Sequence, residues 1–483
     1  MSLHTQIRQR RFWPAMGSYD VRRIADPVHN SIGLSEVELK IISTPAFQRL
    51  RGVKQLGLAY LVYPGADYSR FSHSLGVCHV TGQILTALKR NCPDLDITDD
   101  EIQIYRLAGL LHDVGHYPFS HTMEHAVKEF YANSMMAPLE SGKTQDEGTS
   151  QGINHEQVGK KIVHEDRDIK AILDAAKIDP SKISAIFLRE SPPKFANLVS
   201  SDLDADRIDY LLRTAHHTGL PYGSVDLTYL LSQLRVDKED RICLTRKAVR
   251  TAEHFLLSRY FDYSQVAHHK TVAALELVLA KVLAALLDKK YVDFSKNKVE
   301  QMIANGDWSD LDDAAMDEHI ATLSKDRSDE NIATMAKSIL LRSPPKLIWE
   351  HNKFYDRQSA TEVRHIKSRL KSKIPEWSKK YKISEVLWWM WDTGLTFTKI
   401  GANVSVASLV QPDEKGADRY EQAIRILRDD NSSDDIMSIE HSLMSVLSDK
   451  ARYAVRLYVL LDENTMAVRD QLAAEVRAEM DRE

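Results

Sequence analysis

Two histidines and two aspartates in this chain are spaced so that they could hold one divalent ion. His112 and Asp113 stand side by side in Leu111-His112-Asp113-Val114-Gly115-His116, His73 closes Ser69-Arg70-Phe71-Ser72-His73, and Asp206 lies far downstream in Asp204-Ala205-Asp206-Arg207. A His-Asp dipeptide alone means little. Two imidazoles and two carboxylates on separate apolar-flanked helices, however, form a nitrogen and oxygen set that suits a divalent metal. The chemistry that fits them is metal-assisted hydrolysis of a phosphate ester.

The elements that must position these groups read as helices. His73, Val77, Val80, Ile84 and Leu88 fall on one helical stripe, so His73 faces the core. Ile104, Ala108 and Leu111 make the next helix apolar on one side, and His112-Asp113 arrive just before Gly115 and Pro118 end it. Val199, Leu203, Asp206 and Tyr210 share a further face, where an unpaired carboxylate needs a cation. An ion pair with Arg207 or Arg213 would explain Asp206 alone. It would not explain two inward histidines and Asp113 as well.

Acid and base candidates surround this set. With Phe119 onward helical, Glu124 three residues after His121 can orient that imidazole, while His125 reads as a surface residue. Asn154 with Gln157 three residues on reads as a capping box, which places His155 in a first helical turn favourable to anions. His116 follows the His-Asp pair directly. Arg70, Arg207 and Arg259 are the cations expected to meet phosphate charge.

The chain has 483 residues, long enough for two folding units, and the fold class expected is mainly α with a smaller α+β C-terminal lobe. The expected division is a tail over 1–18, a helical domain over 19–290 with a polar flexible insertion at 131–151, and a helical and α+β lobe over 291–483. In that lobe Gly394–Ile400, Val404–Leu409 and Ala423–Leu427 read as strands, and Ile436–Leu447 as a helix. Sixty-four basic and 69 acidic side chains give a formal net charge of -5, which offers no global attraction to nucleic acid or to an anionic membrane. Thr271–Leu287 is apolar but carries Glu276 and Lys281, so it reads as a buried helix rather than a membrane span. Arg8, Arg10 and Arg11 precede no apolar stretch, which argues against a secretory signal. Three cysteines, Cys78, Cys92 and Cys243, without metal-type spacing fit a reducing cytoplasm.

A longer series of motifs carries a resemblance. DPVHNSI from Asp26, TPAFQRLRGVKQLG from Thr44, SRFSHSLGV from Ser69, AGLLHDVGHYPFSH from Ala108, NHEQ from Asn154 and DLDADRIDYLLR from Asp202 occur in order. In these blocks the chain resembles the HD-domain deoxynucleoside triphosphate triphosphohydrolases, from about Asp26 to Lys270. The resemblance implies His73, His112, Asp113 and Asp206 as metal ligands, with Fe, Mn, Zn or Ni as the metal and Mg accompanying the nucleotide. It implies His116, His121 and His155 as active-site histidines, His121 moving a proton with Glu124 as its partner. Gln55, Leu56, Arg70, Arg207, Tyr210 and Arg259 match positions that contact the nucleotide.

The reaction so implied is hydrolysis of a dNTP to deoxynucleoside and inorganic triphosphate, with metal-activated water attacking the α-phosphorus and His121 protonating the departing 5′-oxygen. Its setting would be control of deoxynucleotide levels or defence against phage. Many relatives carry a tyrosine near the deoxyribose where Ala267 stands, so ribonucleotides could enter here. Arg22, Gln48 and Arg51 match a site where some relatives bind an activating nucleotide between subunits, but Ser43 and Ala25 replace residues that recognise guanosine nucleotides. Homodimers or homotetramers are expected. Trp388, Trp389 and Trp391 read as buried core before they read as an interface. Competing readings are an HD phosphodiesterase or nucleotidase acting on monophosphates, cyclic nucleotides or single-stranded DNA, and a non-enzymatic nucleotide sensor.

Overall fold

Apolar spacing is most regular between residues 70 and 111, and there the chain forms two long packed helices. The computed structural model describes residues 21–136, 152–188, 195, 198, 201–356, 361–396, 423–448 and 450–482. Helix Arg70–Asn91 is buried almost all round, with Val77, Val80, Leu85 and Leu88 at 4% exposure or less. A helix apolar on every side must be covered on every side. Helices Asp99–Leu111 and Ala205–Thr218 both pack against it.

A hairpin opens the described chain, with β1 (Arg22–Asp26) antiparallel to β2 (Asn30–Leu34) and Asn30 in the left-handed region at φ 61°. Helix Glu36–Ile42 follows, started by a capping box between Ser35 and Glu38. Glu38 is fully buried and takes two hydrogen bonds from Arg106, at 2.8 and 2.7 Å, tying the N-terminal segment to the Asp99 helix. Burial alone would raise the Glu38 carboxyl, but Arg106 beside it holds it below its ordinary value.

Residue 291 marks no break in the main apolar core. That core runs from Ile32 through the buried helix Lys270–Asp288 to Trp308, Ile320 and Ile339. The acidic stretch around Trp308 forms a 3-10 turn, Asp307–Asp310, and helix Asp313–Leu323, whose N-cap Asp312 accepts from Ala315. A small sheet completes the body. Strands β3 (Leu234–Val236) and β4 (Ile242–Leu244) form a hairpin, and β4 pairs in parallel with β7 (Arg425–Leu427), which pairs with β8 (Ser433–Asp435).

The α+β lobe is a second, smaller core. Strand β5 (Lys346–Asp356) and β6 (Trp388–Thr396) flank β9 (Lys450–Val459) in an antiparallel sheet of order β5-β9-β6. Helices Thr361–Tyr381 and Arg469–Met480 cover it, burying Leu370, Trp377, Val455, Leu457 and Leu472. Trp388 and Trp389 are 6% exposed and belong to core, as their sequence context implied; Trp391 is half-buried against His268.

Several boundaries differ from the sequence expectation. The strand expected at Gly394–Ile400 starts at Trp388, because the alternating aromatics pair along β9. Val404–Leu409 lies outside the described residues. The helix expected over Ile436–Leu447 breaks into a turn, Ile436–Ser438, and helix Leu443–Leu447, since the Ser442 hydroxyl accepts from Met444 and starts a new helix there. Helix His121–Met136 runs past residue 131, where a polar insertion was expected to begin, and 137–151 lie outside the described residues. Among the described residues no helix is long and apolar enough to cross a membrane.

Candidate metal centre and nucleotide cavity

His73 comes from the first turn of its helix, His112 from the C-cap of the Asp99 helix, Asp113 from the turn after it, and Asp206 from the first turn of helix Ala205–Thr218. That last placement corrects the sequence reading, which put Leu203 on the same helix face as Asp206; Val199, read onto that face too, lies outside the described residues. Asp204 is extended, and its carboxylate accepts from the Arg207 amide at 2.6 Å, so the helix starts one residue before Asp206.

The four side chains converge. Asp206 Oδ1 lies 3.0 Å from His73 Nε2 and 3.9 Å from His112 Nε2. Asp113 Oδ1 lies 3.2 Å from His112 Nε2, and Asp113 Oδ2 lies 3.8 Å from His73 Nε2. Both Nε2 atoms are buried and make no hydrogen bond with the protein. Buried polar atoms left in that state ask for a ligand, and His73, His112 and Asp206 offer donor atoms within 4.8 Å of one another. The donor set therefore fits a divalent cation. The rival explanation for Asp206 fails, because Arg213 is spent on Asp209 and Asp26 while Arg207 turns to Asp202 and Asp204.

Each imidazole is held from behind. His112 Nδ1 lies 2.8 Å from the Gly109 carbonyl, and His73 Nδ1 lies 2.8 Å from Asp209 Oδ2. Asp209 also receives Arg213 twice at 2.9 Å and meets His29 Nε2 at 2.7 Å; Arg213 continues to Asp26 at 2.8 Å. Burial alone would lower the His73 pKa, but the carboxylates of Asp206 and Asp209 raise it to about 9. A centre that draws positive charge this strongly suits a cation. Gly76 makes the arrangement possible, since a Cβ there would lie 1.8 Å from Asp209 Oδ1.

Sequence reasoning missed Asp209. Its signal was present in the i, i+3 and i+7 spacing of Asp206, Asp209 and Arg213, but the spacing could not say that Asp209 backs a histidine on another helix. Such a carboxylate fixes tautomer and ring orientation.

A second group stands beside the first. His116 stacks on His155 with ring centroids 3.9 Å apart, and His121 packs edge-on to both. Gly115 permits this approach, because a Cβ would meet the His155 carbonyl and the Gly159 amide at 2.2 Å. The capping box at Asn154 forms as expected and sets His155 at the helix start. Glu124 Oε2 lies 2.8 Å from His155 Nδ1 and 3.3 Å from His121 Nδ1, so the carboxylate expected to orient His121 orients both histidines and holds His155 more closely. Burial would raise Glu124, but His121, His155 and Lys128 hold it well below the usual carboxylate range. His125 is exposed, as expected.

The helix carrying His121 begins at His121 rather than at Phe119. Phe119 and Ser120 both sit at φ 55°, a left-handed conformation unusual for residues with a Cβ. Asp313 holds this kink, accepting the Phe119 amide at 2.7 Å and the Lys54 amide at 3.0 Å. Arg70 holds it from the other side, donating to Ser120 Oγ at 2.8 Å and to Asp113 Oδ2 at 2.5 Å. Burial opposes the Asp113 charge, but Arg70, His112 and His116 keep that carboxyl well below its ordinary value.

Of these groups, His112, Asp113, Asp206, Arg70, His116, His121 and His155 line a cavity of about 500 Å³, with His73 buried behind them. Gln55, Leu56, Arg207 and Tyr210 line it as well. Arg259, 4% exposed, stands behind the wall and bonds Asp202 at 2.8 Å. Gln55 Oε1 and the Tyr210 hydroxyl are buried without hydrogen-bond partners. Arg22, Gln48 and Arg51 do not line the cavity: Arg22 is on β1, Gln48 donates to the Ile42 carbonyl at 2.6 Å, and Arg51 donates to Gln48 and covers the Phe71 ring at 3.7 Å.

Comparison with known proteins places this geometry. The HD domain family model matches residues 70–213, the segment holding all four candidate ligands. The chain is 33% identical over 273 residues to the uncharacterized protein YwfO of Bacillus subtilis, covering 55% of this chain and 57% of that one. It is 32% identical over 273 residues to human deoxynucleoside triphosphate triphosphohydrolase SAMHD1, covering 51% and 42%. The chain thus spans about half the length of the curated relatives it matches, from 42% to 60%. A hypothetical protein of Aquifex aeolicus has the same fold at TM-score 0.66 and 25% identity, covering 94% of this chain and 99% of that one. A phosphohydrolase of Bacteroides thetaiotaomicron shares the fold at TM-score 0.65 and 24% identity, covering 90% and 99%. Residues 70–213 thus match an HD domain.

Proposed function

We propose that the chain is a metal-dependent phosphohydrolase that converts a deoxynucleoside triphosphate to deoxynucleoside and inorganic triphosphate. One observation carries the reading: three of the four candidate ligands, the trio His116, His121 and His155, and Arg70 line one cavity together with Gln55 and Tyr210, each of which keeps a buried unpaired polar atom. A divalent ion held by His73, His112, Asp113 and Asp206 supplies Lewis acidity toward a phosphoryl oxygen and toward water. Arg70 and Arg207 face the cavity as the cations that spread charge developing on the polyphosphate, with Arg259 close behind.

His121 opens to the cavity, 63% exposed, with Nδ1 toward Glu124, which leaves Nε2 to give a proton to the departing 5′-oxygen. His116 and His155 wall the same cavity and keep water from approaching freely. Assembly as a homodimer or homotetramer, and an activating nucleotide at Arg22, Gln48 and Arg51, belong to the same reading. The cytoplasm is its expected compartment.

The test is product analysis by anion-exchange chromatography after incubation with Mn2+ or Mg2+ and each dNTP and NTP, singly and mixed. Inorganic triphosphate with nucleoside is the expected outcome, and turnover in mixtures alone would reveal the activator site. Phosphate, pyrophosphate or nucleoside monophosphate would replace the reading with a phosphodiesterase or nucleotidase.

A further inference from the structure

The cavity is also lined by an acid outside the candidate ligand set. Asp262 closes helix Val249–Asp262, lines the cavity and is 6% exposed. After it the backbone widens into a π-helical turn, Tyr263–Ala267, in which the His268 amide donates to the Tyr263 carbonyl at 2.7 Å. Such a turn puts residues four and five apart on one side, and Asp262, Val266 and Ala267 all line the cavity. Ala267 adds almost no side chain there, so the space in front of the carboxyl stays open.

Structure alone gives Asp262 little reason to be an acid. Among the described residues its carboxyl takes one side-chain hydrogen bond, from the Tyr222 hydroxyl at 2.6 Å, and no Lys or Arg nitrogen lies within ion-pair distance. The nearby Arg259 guanidinium is bonded to Asp202. Burial pushes the Asp262 carboxyl up to about 7. A buried acid with one neutral donor is costly unless something else meets it.

Its position selects what that something is. Phosphate oxygens offer no proton to an acceptor and are repelled by a carboxylate. Tyr210 stands one helical turn beyond the candidate ligand Asp206, and Tyr210 and Asp262 line the same cavity. In a nucleotide whose phosphates meet Arg70 and Asp206, the sugar follows the 5′-oxygen and carries the first hydroxyls that could donate to such an acceptor.

We propose that Asp262, steadied by Tyr222, accepts a hydrogen bond from a sugar hydroxyl of the bound nucleotide and selects substrates by it. The proposal rests on the nucleotide reading above.

Steady-state kinetics of the wild type, Asp262→Leu, Asp262→Asn and Tyr222→Phe test it, with dATP, 2′,3′-dideoxy-ATP and ATP as probes and metal content and melting temperature measured for each protein. A site built around a hydroxyl discriminates strongly against the analogue lacking it, so the wild type should prefer dATP to the dideoxy analogue by roughly 100-fold or more in kcat/KM. Asp262→Leu should bring that ratio toward about 1, mainly through a higher KM for dATP, and Asp262→Asn should lower it less. A collapse confined to the ATP to dATP ratio would also support the proposal, with the 2′-hydroxyl as the group bound. The Asp262→Asn variant keeps the shape of the acid, so it carries the test should the leucine variant not fold. Wild-type ratios retained in variants that hold metal and turn over overturn the proposal and leave the nucleotide reading standing. A metal-loaded wild type that hydrolyses no dNTP or NTP, singly or mixed, removes the nucleotide reading itself, and this proposal with it.

Discussion

Two sets of residues at the cavity are built in opposite ways. At the candidate metal centre each imidazole is backed by a second contact, and the chain Asp26, Arg213, Asp209, His73 reaches from β1 through two helices to the centre. Elsewhere on the cavity wall Gln55 Oε1 and the Tyr210 hydroxyl are buried with nothing to bond, and Asp262 has one neutral donor. A metal site needs ligand geometry fixed before the ion arrives. A nucleotide supplies its own hydrogen-bonding groups, so the protein can leave acceptors and donors open until it binds.

Removing a ligand is the strongest way to break the contrast. His112→Ala and Asp206→Ala should each lose the metal, read by elemental analysis, and lower turnover by on the order of 10⁴-fold or more, as when one member of an interdependent set is removed. Normal turnover in a metal-depleted variant would end the metal reading. His121→Ala should keep metal and nucleotide binding while kcat falls roughly 10² to 10⁴-fold. Full activity in that variant would take the proton-transfer role away from His121.

Asp209 tests whether backing matters apart from ligation. Asp209→Asn should weaken metal affinity about 10 to 100-fold, measured by competition with a chelator, while the four ligands remain. The same carboxyl has a pH signature in the metal-free protein. Burial opposes its charge, but Arg213, His29 and His73 hold its pKa well below the ordinary 3.8. A depressed folded-state pKa contributes stability that is fully present above the unfolded value and is lost as pH falls through the folded one. Urea midpoints of the wild type should therefore decline below about pH 4, and those of Asp209→Asn should start lower and decline less. Parallel curves for the two proteins would show that Asp209 is not the group being titrated.

The mildest change probes the open set. Tyr210→Phe removes a hydroxyl that has no partner, so stability should move by no more than about 0.5 kcal/mol, while KM for the nucleotide rises several-fold. A large loss of stability instead would mean that the hydroxyl is held by the protein and that the two sets are built alike.

The candidate ligand set could be read from the sequence because residue type and helical phase are local properties. His73 had to face inward from a stripe of Val77, Val80 and Ile84, and His112-Asp113 had to end a helix before Gly115. The capping box at Asn154 was equally local. Less local features were not legible. Glu124 serves His155 more closely than its sequence neighbour His121, because Gly115 lets the helix that begins at His155 approach in space although 31 positions separate the pair in sequence. The start of the Asp206 helix was misjudged because Asp204 reads equally well as a helical residue and as a cap.

What the sequence determined by itself was chemistry and periodicity: which side chains could hold a metal, which helices were amphipathic, and where caps and turns should fall. Tertiary structure alone decided the partnerships. It set Asp209 behind His73, drew Asp313 from beyond residue 291 to hold the left-handed turn at Phe119 and Ser120, and placed Asp262 in the cavity wall beside Tyr222. The physical reason is that a charge or an amide finds its partner by distance in the folded chain, and packing brings together residues whose separation in sequence carries no trace of it.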